Sequence, residues 1–371
     1  MRPPAPTLRG LNIWFMAWAA LLLAIPAAGL AWNTAGHLSR GLPTSALADG
    51  GETLLTRRLD VFIASNIGLR KQMIDIGRDV KTFLAGGSPR VVEGEDGWLF
   101  ITDNDVFGQA TGVRIDLAGL EHFAEVAGAL ADEAKANGRR FVVAVAPNSH
   151  TIYRHKLPLW ARTKPASTEL DVLLQILARR GIPAVDLRPS LLARAETRPV
   201  YFRGDTHWTL LGASLAFNDI VANLGLDGEA IDIDRDFGPD VERDRPGDLV
   251  GIAGRQPPWI ETMPAVKSRV LPAPDELARQ VLGEGVNSES YSLRLKSPPP
   301  DIGQRPGVLV IGDSFSGTLF GPLFMRFARE FTWMHYRNGR IDLGAVAKAD
   351  PDIVVFEVVE RAVPFLKQRP Q

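Results

Sequence analysis

Two short segments about a hundred residues apart carry an acid, a base and a nucleophile. The first, Gly204–Trp208, contains Asp205 and His207, and the second, Gly312–Ser316, contains Ser314. A serine hydroxyl is a weak nucleophile near neutral pH, so it needs a neighbouring base and a third group that orients the base. The two segments therefore predict nucleophilic chemistry in which Ser314 attacks, His207 accepts its proton and Asp205 orients His207.

The elements around Ser314 are predicted to be a strand, a sharp turn and a helix. Residues 308–311 form an apolar, β-branched run, and apolar residues recur at helical spacing over 319–327. The turn lifts the hydroxyl above the strand end, where the first free amides of the helix can stabilise an oxyanion. Gly312 permits close backbone approach at this turn, and Asp313 is expected to shape the turn and the oxyanion site.

Asp205 and His207 lie two residues apart, just before a helical pattern over 210–221. In an extended segment such residues point to the same side. Each motif alone has a plainer interpretation, because Asp and Ser are common in simple turns and a His beside Trp208 is often a half-buried structural residue. Their joint occurrence at the ends of regular elements favours a shared site.

The remaining pattern alternates helices and strands, which predicts an α/β fold. A hairpin turn is expected at Asp96-Gly97, and residues 226–306, rich in Pro, Asp and Gly, are expected to form an insertion with little regular structure. Helices are predicted over 117–136 and 167–180, and strands over 141–146, 182–187, 331–336 and 353–359.

The two motifs, together with Glu95–Phe100 upstream, resemble the alginate O-acetyltransferase AlgJ/AlgX family, with similarity from about Val91 to Arg361. The resemblance implies an SGNH-hydrolase-like α/β fold, a parallel sheet flanked by helices, in which the Asp-x-His element precedes the Ser element. It also implies Ser314 as the acetyl-accepting nucleophile, His207 as general base and Asp205 as its orienting partner.

Four further residues are candidates for contacts with the reacting groups. Asn148 follows the strand over 141–146 and can donate to an oxyanion, although an Asn there is also a common turn residue. Tyr336, Arg337 and Trp208 can contact sugar rings or uronate groups, although core packing and surface solvation explain them equally well.

Composition narrows the functional classes. The chain has 371 residues, is 45% hydrophobic and carries a formal net charge of -1, which argues against a nucleic-acid binder. It has no Cys and six scattered His, and the acidic cluster around 232–236 is interpreted as a solvated loop. The sequence therefore predicts no metal site and no cofactor.

The N-terminal segment predicts a membrane anchor. Residues 11–32 are almost wholly apolar and follow Arg2 and Arg9, so a single-pass helix in the inner membrane would leave the rest of the chain in the periplasm. A cleaved signal peptide is the alternative, because Ala27 and Ala28 supply small residues near its end. The predicted divisions are 1–32 for the anchor, 33–90 for a stalk and 91–371 for the catalytic domain.

Together with the resemblance, these features predict a periplasmic O-acetyltransferase that acts on an exported polysaccharide through an acetyl-serine. The resemblance also implies a membrane-bound O-acyltransferase as acetyl supplier. Two alternatives remain open: a carbohydrate esterase or deacetylase with the same three residues, and a noncatalytic polysaccharide-binding assembly factor.

Overall fold

The computed structural model describes residues 90–267, 292–296, 305–317, 319–336, 344, 346 and 349–366. The predicted anchor over 1–32 and the predicted stalk, apart from Arg90, lie outside these ranges. Among the described residues, no helix combines the length and apolar character required to cross a bilayer.

The strands in chain order are Val91–Glu93 (β1), Leu99–Ile101 (β2), Arg140–Ala146 (β3), Ala184–Val185 (β4), Phe237–Asp244 (β5), Ile260–Val266 (β6), Ser292–Lys296 (β7), Gly307–Gly312 (β8), Glu330–His335 (β9) and Ile353–Val359 (β10). The α-helices are Val106–Ala110 (α1), Leu117–Ala136 (α2), Ser149–Ile152 (α3), Glu169–Arg179 (α4), Arg188–Ala195 (α5), Leu210–Asn223 (α6), Ile233–Asp236 (α7), Asp248–Ile252 (α8), Ser314–Gly317 (α9) and Phe320–Phe324 (α10). Short 3-10 helices span Glu95–Gly97, Asp103–Asp105, Arg154–Lys156, Leu159–Ala161, Asp227–Glu229 and Glu360–Phe365.

In the described part of the chain, the central sheet has the order β4-β3-β10-β8-β9-β7. All neighbouring strands are parallel except β7, which pairs antiparallel with β9. Alternate residues of β10 enter two separate apolar clusters: Val355 packs on the face covered by α6 and α10, and Val354 and Phe356 pack on the face covered by α2 and α4. Because both faces are buried, the central strands are nearly continuous apolar runs, which in β10 are interrupted by the buried Glu357.

Several local predictions are confirmed. Helix 117–136 and strand 353–359 have the predicted bounds, and the helix predicted over 167–180 spans Glu169–Arg179 after a capping box at Thr168. The hairpin turn predicted at Asp96-Gly97 joins β1 to β2, and both residues have positive φ. The strand predicted over 182–187 is only two residues long.

The expectation of little regular structure in 226–306 is wrong for its described part. Strands β5 and β6 form an antiparallel hairpin in this segment, and α8 lies between them in the chain. Most residues of β5 beyond Gly238 are exposed and charged. A two-stranded ribbon with polar residues on both faces lacks the alternation that identifies a half-buried strand.

Candidate active site

Ser314 is the first residue of α9 and follows β8 after a single connecting residue, Asp313. The side chain of Ser314 is exposed, whereas Asp313 is buried. The Asp313 carboxylate accepts hydrogen bonds from the N–H groups of Phe315 (2.9 Å) and Val359 (2.9 Å) and from the Tyr336 hydroxyl. One buried carboxylate thus joins the start of α9 to the ends of β10 and β9, and it holds the turn that presents Ser314.

Gly312 ends β8 where a side chain would not fit. A Cβ at this position would lie 2.1 Å from Ser316 Oγ and 2.8 Å from Glu357 Oε2. Glu357 is fully buried, and its Oε2 accepts a hydrogen bond from the Asp313 N–H at 3.2 Å. Burial, followed by the negative charge of Asp313, raises the pKa of Glu357 well above its ordinary value. The floor of the turn is therefore a buried carboxyl that favours its protonated form.

The loop carrying residues 205–207 is closed by a bridge between Tyr201 and Trp208. Thr209 then caps α6, because its side chain accepts a hydrogen bond from the Gly212 N–H. The indole Nε1 of Trp208 donates to the carbonyl oxygen of Phe315 at 3.0 Å. This bond links the loop directly to α9, the helix that begins with the candidate nucleophile.

The structure brings the three predicted residues into one hydrogen-bonded chain. Nε2 of His207 lies 2.8 Å from Oγ of Ser314, and its Nδ1 lies 2.7 Å from Oδ1 of Asp205. The same Asp205 oxygen accepts the backbone N–H of His207 at 3.0 Å. With Nδ1–H donated to Asp205, Nε2 is left as an acceptor for the Ser314 hydroxyl proton. This arrangement is suited to general-base activation of a serine.

Asp205 is buried on the side away from Ser314, and it has charged neighbours there. Its Oδ2 accepts a hydrogen bond from Arg245 Nη1 at 3.1 Å. Burial alone would raise the pKa of the Asp205 carboxyl, but the hydrogen bond and charge of His207 and the charge of Arg245 outweigh it, so that pKa lies well below its ordinary value. Asp205 is thus held as a carboxylate.

The expectation that the first amides of the helix are free for an oxyanion needs correction. The N–H of Phe315 donates to the Asp313 side chain, and those of Ser316 and Gly317 donate to the Asp313 carbonyl oxygen. A short helix entered through an Asp places that residue's own acceptors over the first turn. The N–H groups of residues 315–317 are therefore committed to the turn itself.

Asn148, the other predicted oxyanion donor, is buried where β3 ends. Its Nδ2 donates to Gln109 Oε1 at 2.9 Å, and its N–H donates to the buried Glu360 carboxylate at 2.8 Å. Arg361 Nη1 donates to Asn148 Oδ1 at 3.4 Å. Asn148 therefore belongs to a buried polar network that also positions Arg361, at the end of the strand beside β8.

The predicted substrate contacts are not supported for two residues. Tyr336 is 6% exposed and donates its hydroxyl to Asp313, and Trp208 is 1% exposed. Both rings pack in the apolar clusters, so neither can stack on a sugar from solvent. Arg337 lies outside the described residues.

Sequence reasoning missed the residues of the β5–β6 hairpin that surround Asp205. Arg245 follows β5, and Asp248 accepts hydrogen bonds from the N–H (2.8 Å) and hydroxyl of Thr206. No local pattern in the sequence indicated a contact between this region and residue 205. Such contacts depend on long-range loop packing.

Asp205, His207 and Asp248 place potential ligand atoms within 4.8 Å of one another. These atoms already serve other partners: Asp205 faces His207 and Arg245, and Asp248 accepts from Thr206. The guanidinium beside Asp205 also repels a cation. The cluster is better explained as the hydrogen-bonded surroundings of His207 than as a metal centre.

Two curated relatives of this chain carry the same name, probable alginate O-acetylase AlgJ. The probable alginate O-acetylase AlgJ of Pseudomonas syringae pv. tomato is 30% identical over 217 residues, which cover 55% of this chain and 50% of that protein. Its counterpart in Pseudomonas aeruginosa is 30% identical over 190 residues, covering 49% of this chain and 46% of that protein. The chain thus spans about half the length of these curated relatives.

A solved structure of another protein has a similar fold. Bacillus cereus PatB1 superimposes with a TM-score of 0.51 at 13% identity, covering 74% of this chain and 96% of that chain. A family model described as SGNH hydrolase-like domain, acetyltransferase AlgX, matches residues 91–323, more than half of the chain. The central parallel sheet between helical layers fits that description. The chain therefore belongs to the AlgX acetyltransferase family with an SGNH hydrolase-like domain.

Proposed function

We propose that this protein is an O-acetyltransferase that moves acetyl groups to hydroxyls of an exported polysaccharide through an acetyl-serine at Ser314. The observation that carries the proposal is the hydrogen-bonded chain from Ser314 Oγ through His207 to Asp205, with distances of 2.8 and 2.7 Å. The exposed Ser314 side chain can meet both a donor and a bulky acceptor.

The transfer takes place in two similar steps. Ser314 Oγ attacks the acetyl carbonyl carbon while His207 Nε2 accepts the hydroxyl proton, and the tetrahedral intermediate expels the donor's leaving group, which takes that proton. A sugar hydroxyl then gives its proton to His207, attacks the acetyl-serine and carries the acetyl group away, and Ser314 recovers its proton. Asp205 keeps the imidazole in the required tautomer throughout.

The oxyanion of each intermediate needs a donor other than the amides committed to Asp313. We assign this role to the backbone N–H of Ser314, which lies next to the attacking oxygen at the start of α9. Such a donor stabilises the transition state most when it is fixed before the reaction. The Asp313 contacts supply that rigidity.

The acceptor and the cellular location extend the same proposal. The relatives are named for alginate, so an alginate-like polymer is the acceptor class to test first. An anchor over 11–32 would keep the domain at the periplasmic face of the inner membrane, where acetyl groups need a membrane-bound O-acyltransferase as supplier.

A periplasmic carbohydrate esterase is the second candidate, and the solvent exposure of Ser314 favours it. Water would replace the sugar hydroxyl in the second step and release acetate. Incubation with an acetyl donor and a polyuronate oligosaccharide separates the two candidates, because a transferase yields acetylated oligosaccharide and an esterase yields acetate alone. A noncatalytic assembly factor yields neither, and its Ser314→Ala variant would leave polymer acetylation in cells unchanged.

Mass spectrometry of the protein after incubation with 4-nitrophenyl acetate tests the central step. We expect one acetyl group on the peptide containing Ser314, absent in Ser314→Ala and strongly reduced in His207→Ala. His122→Ala is a matched control, because His122 is a surface residue of α2 that contacts Glu125. Acetylation at other positions, or none under conditions of turnover, would contradict the proposal.

A further inference from the structure

Arg245 lies behind the proposed triad, on the side of Asp205 opposite His207. Its Nη1 is 3.1 Å from Asp205 Oδ2, while Asp205 Oδ1 faces the imidazole. The Asp205 side chain is 9% exposed and the Arg245 side chain is 38% exposed. Within this ion pair the carboxylate is therefore shielded from water, whereas the guanidinium is partly solvated. Each oxygen of one carboxylate thus serves a different partner.

One cation–π contact and two backbone hydrogen bonds hold Arg245 in this place. Its Cζ lies 3.7 Å from the ring centroid of Phe202, a close cation–π contact. The N–H of Phe202 donates to the carbonyl oxygen of His207, and the N–H of Arg245 donates to the carbonyl oxygen of Trp259 in the hairpin. The Arg245 side chain is therefore fixed between the β5–β6 hairpin and the loop that carries His207.

Resting on the proposed function, we propose that Arg245 is a positioning residue for the transfer reaction. Its hydrogen bond to Oδ2 fixes the Asp205 carboxylate so that Oδ1 points at His207 Nδ1. Its positive charge opposes part of the Asp205 charge, so Arg245 also changes the net charge that faces the imidazole. The hairpin therefore contributes to the chemistry through Asp205, without touching the reacting atoms.

Other charged groups also face the loop that carries His207, and they contribute to the electrostatic potential at the imidazole. Asp248 Oδ2 lies 3.9 Å from His207 Nδ1 and adds a second carboxylate near the imidazole. The buried Glu261 carboxylate accepts the N–H of Gly204 from the hairpin side. On the sheet side, Arg361 lies over the Phe315 ring, whose centroid is 5.0 Å from that of His207.

Arg245 is the cation in direct contact with Asp205, and it offsets the carboxylates on its side of the imidazole. Loss of its charge therefore leaves Asp205, Asp248 and Glu261 less opposed, and protonation of His207 should become easier. The direction of the effect follows from charge alone. Its size depends on the partial exposure of Arg245, which weakens the interaction.

The experiment compares Arg245→Met, Arg245→Lys and Arg255→Met with wild type. Methionine keeps an unbranched side chain against Phe202 but removes the charge, and lysine keeps the charge but not the planar fork. Arg255→Met is the matched control, because Arg255 also lies in the segment between β5 and β6. It forms a salt bridge with Glu93 and a cation–π contact with Trp259. The measurements are the pH dependence of 4-nitrophenyl acetate turnover and the NMR titration of His207, one of six histidines.

For Arg245→Met we expect the acidic limb of the pH–rate profile and the His207 titration midpoint to move up together by about 0.5 to 1 pH unit. The plateau rate should fall about 10-fold, because the carboxylate loses its anchor. Arg245→Lys should show less than half of the pH displacement, and Arg255→Met should show neither change.

A rate loss in Arg245→Met without movement of the limb or of the titration midpoint would mean a purely structural role, and it would overturn the inference. Equal displacement in Arg255→Met would overturn it too. The NMR titration needs no turnover, so it remains informative if wild type forms no acetyl-Ser314. Failure of the wild type to form acetyl-Ser314 would refute the proposed function. The effect of Arg245 on the His207 titration could still be measured in that case.

Discussion

The two halves of the candidate site are held in place by different parts of the molecule. The turn with Ser314 is supported from within the sheet, because Asp313 accepts hydrogen bonds from Val359 at the end of β10 and from Tyr336 after β9. The loop with Asp205 and His207 is supported from outside, by the hairpin formed by β5 and β6.

The external support consists largely of charged groups. The buried Glu261 of β6 accepts the N–H groups of Arg203 (3.0 Å) and Gly204 (2.6 Å), and Asp248 holds Thr206. Gly247 allows this approach, because a Cβ there would lie 2.4 Å from Gly204 O. The position of Ser314 thus depends on the core, whereas the position of His207 depends on the hairpin.

Asp205→Asn changes the loop with Asp205 and His207, the half of the site that the hairpin supports. We expect it to have the largest effect on activity. Activity should fall about 10³-fold or more, because the amide favours the wrong imidazole tautomer. Because the folded-state pKa of Asp205 is lowered, the carboxylate contributes stability that is fully present above the unfolded value and is lost as pH falls through the folded value. We expect a deficit on the order of 2 kcal/mol near neutral pH that shrinks below about pH 4.

Turnover and urea unfolding of the Asp205→Asn variant, measured from neutral to acidic pH, check both parts. Ser314 should remain in its turn, since none of the core contacts involves Asp205. A stability deficit that stays constant with pH would show that charge on Asp205 does not contribute to folding.

Asp313→Ala tests the turn with Ser314, the half of the site that the sheet supports. It leaves the N–H groups of Phe315 and Val359 and the Tyr336 hydroxyl without their acceptor, so unfolding free energy should fall by about 3 kcal/mol and activity about 10²-fold. Chemical denaturation and turnover measure the two losses.

The control for the Asp313 variant is Asp352→Ala, at the opposite end of the same sheet. Asp352 accepts the N–H of Gly307 at 2.6 Å and pairs with Arg329, so its loss should cost about 1 kcal/mol and leave activity intact. Equal activity losses in both variants would contradict a local role for Asp313.

Gly247→Ala tests the support from the hairpin without replacing Ser314, His207 or Asp205. The added Cβ would lie 2.5 Å from the Asp205 Cβ, which should displace α8 and its Asp248, lower activity about 10-fold and cost about 1 to 2 kcal/mol. Gly251→Ala in the same helix is the control, because nothing lies within 4 Å of its new Cβ. Similar kinetics for the two alanine variants would mean that close approach at residue 247 does not position Asp205.

Glu357→Gln should have the smallest effect on activity and a characteristic effect on stability. Burial, then the Asp313 charge, raises the pKa of Glu357, so the wild type loses stability as pH rises above the ordinary Glu value and the glutamine variant does not. The variant should gain relative stability with rising pH, by at most about 1.4 kcal/mol per pH unit. Denaturation curves across neutral pH test the sign, and parallel curves would contradict it.

Much of the α/β architecture was accessible from local patterns. Helix 117–136 and strand 353–359 follow from apolar periodicity and end signals such as Asn137, which depend on neighbouring residues only. The hairpin of β5 and β6 was missed because Glu242, Arg243 and Asp244 give its strand no apolar alternation. The sequence left Tyr336 open between a sugar contact and core packing, because a residue after a strand can turn either to solvent or inward.

Local sequence patterns were enough to show which residue types stand at the ends of the elements: Ser314 after β8, and Asp205 and His207 before α6. Turn chemistry and hydrophobic period are encoded over a few neighbouring residues, so those positions can be read without a structure. The contact of Arg245 with Asp205, and the hydrogen bonds from the amides of residues 315–317 to Asp313, became visible in the folded chain alone. Such contacts arise when distant segments pack together, and the free energy that selects them is shared over the whole folded chain.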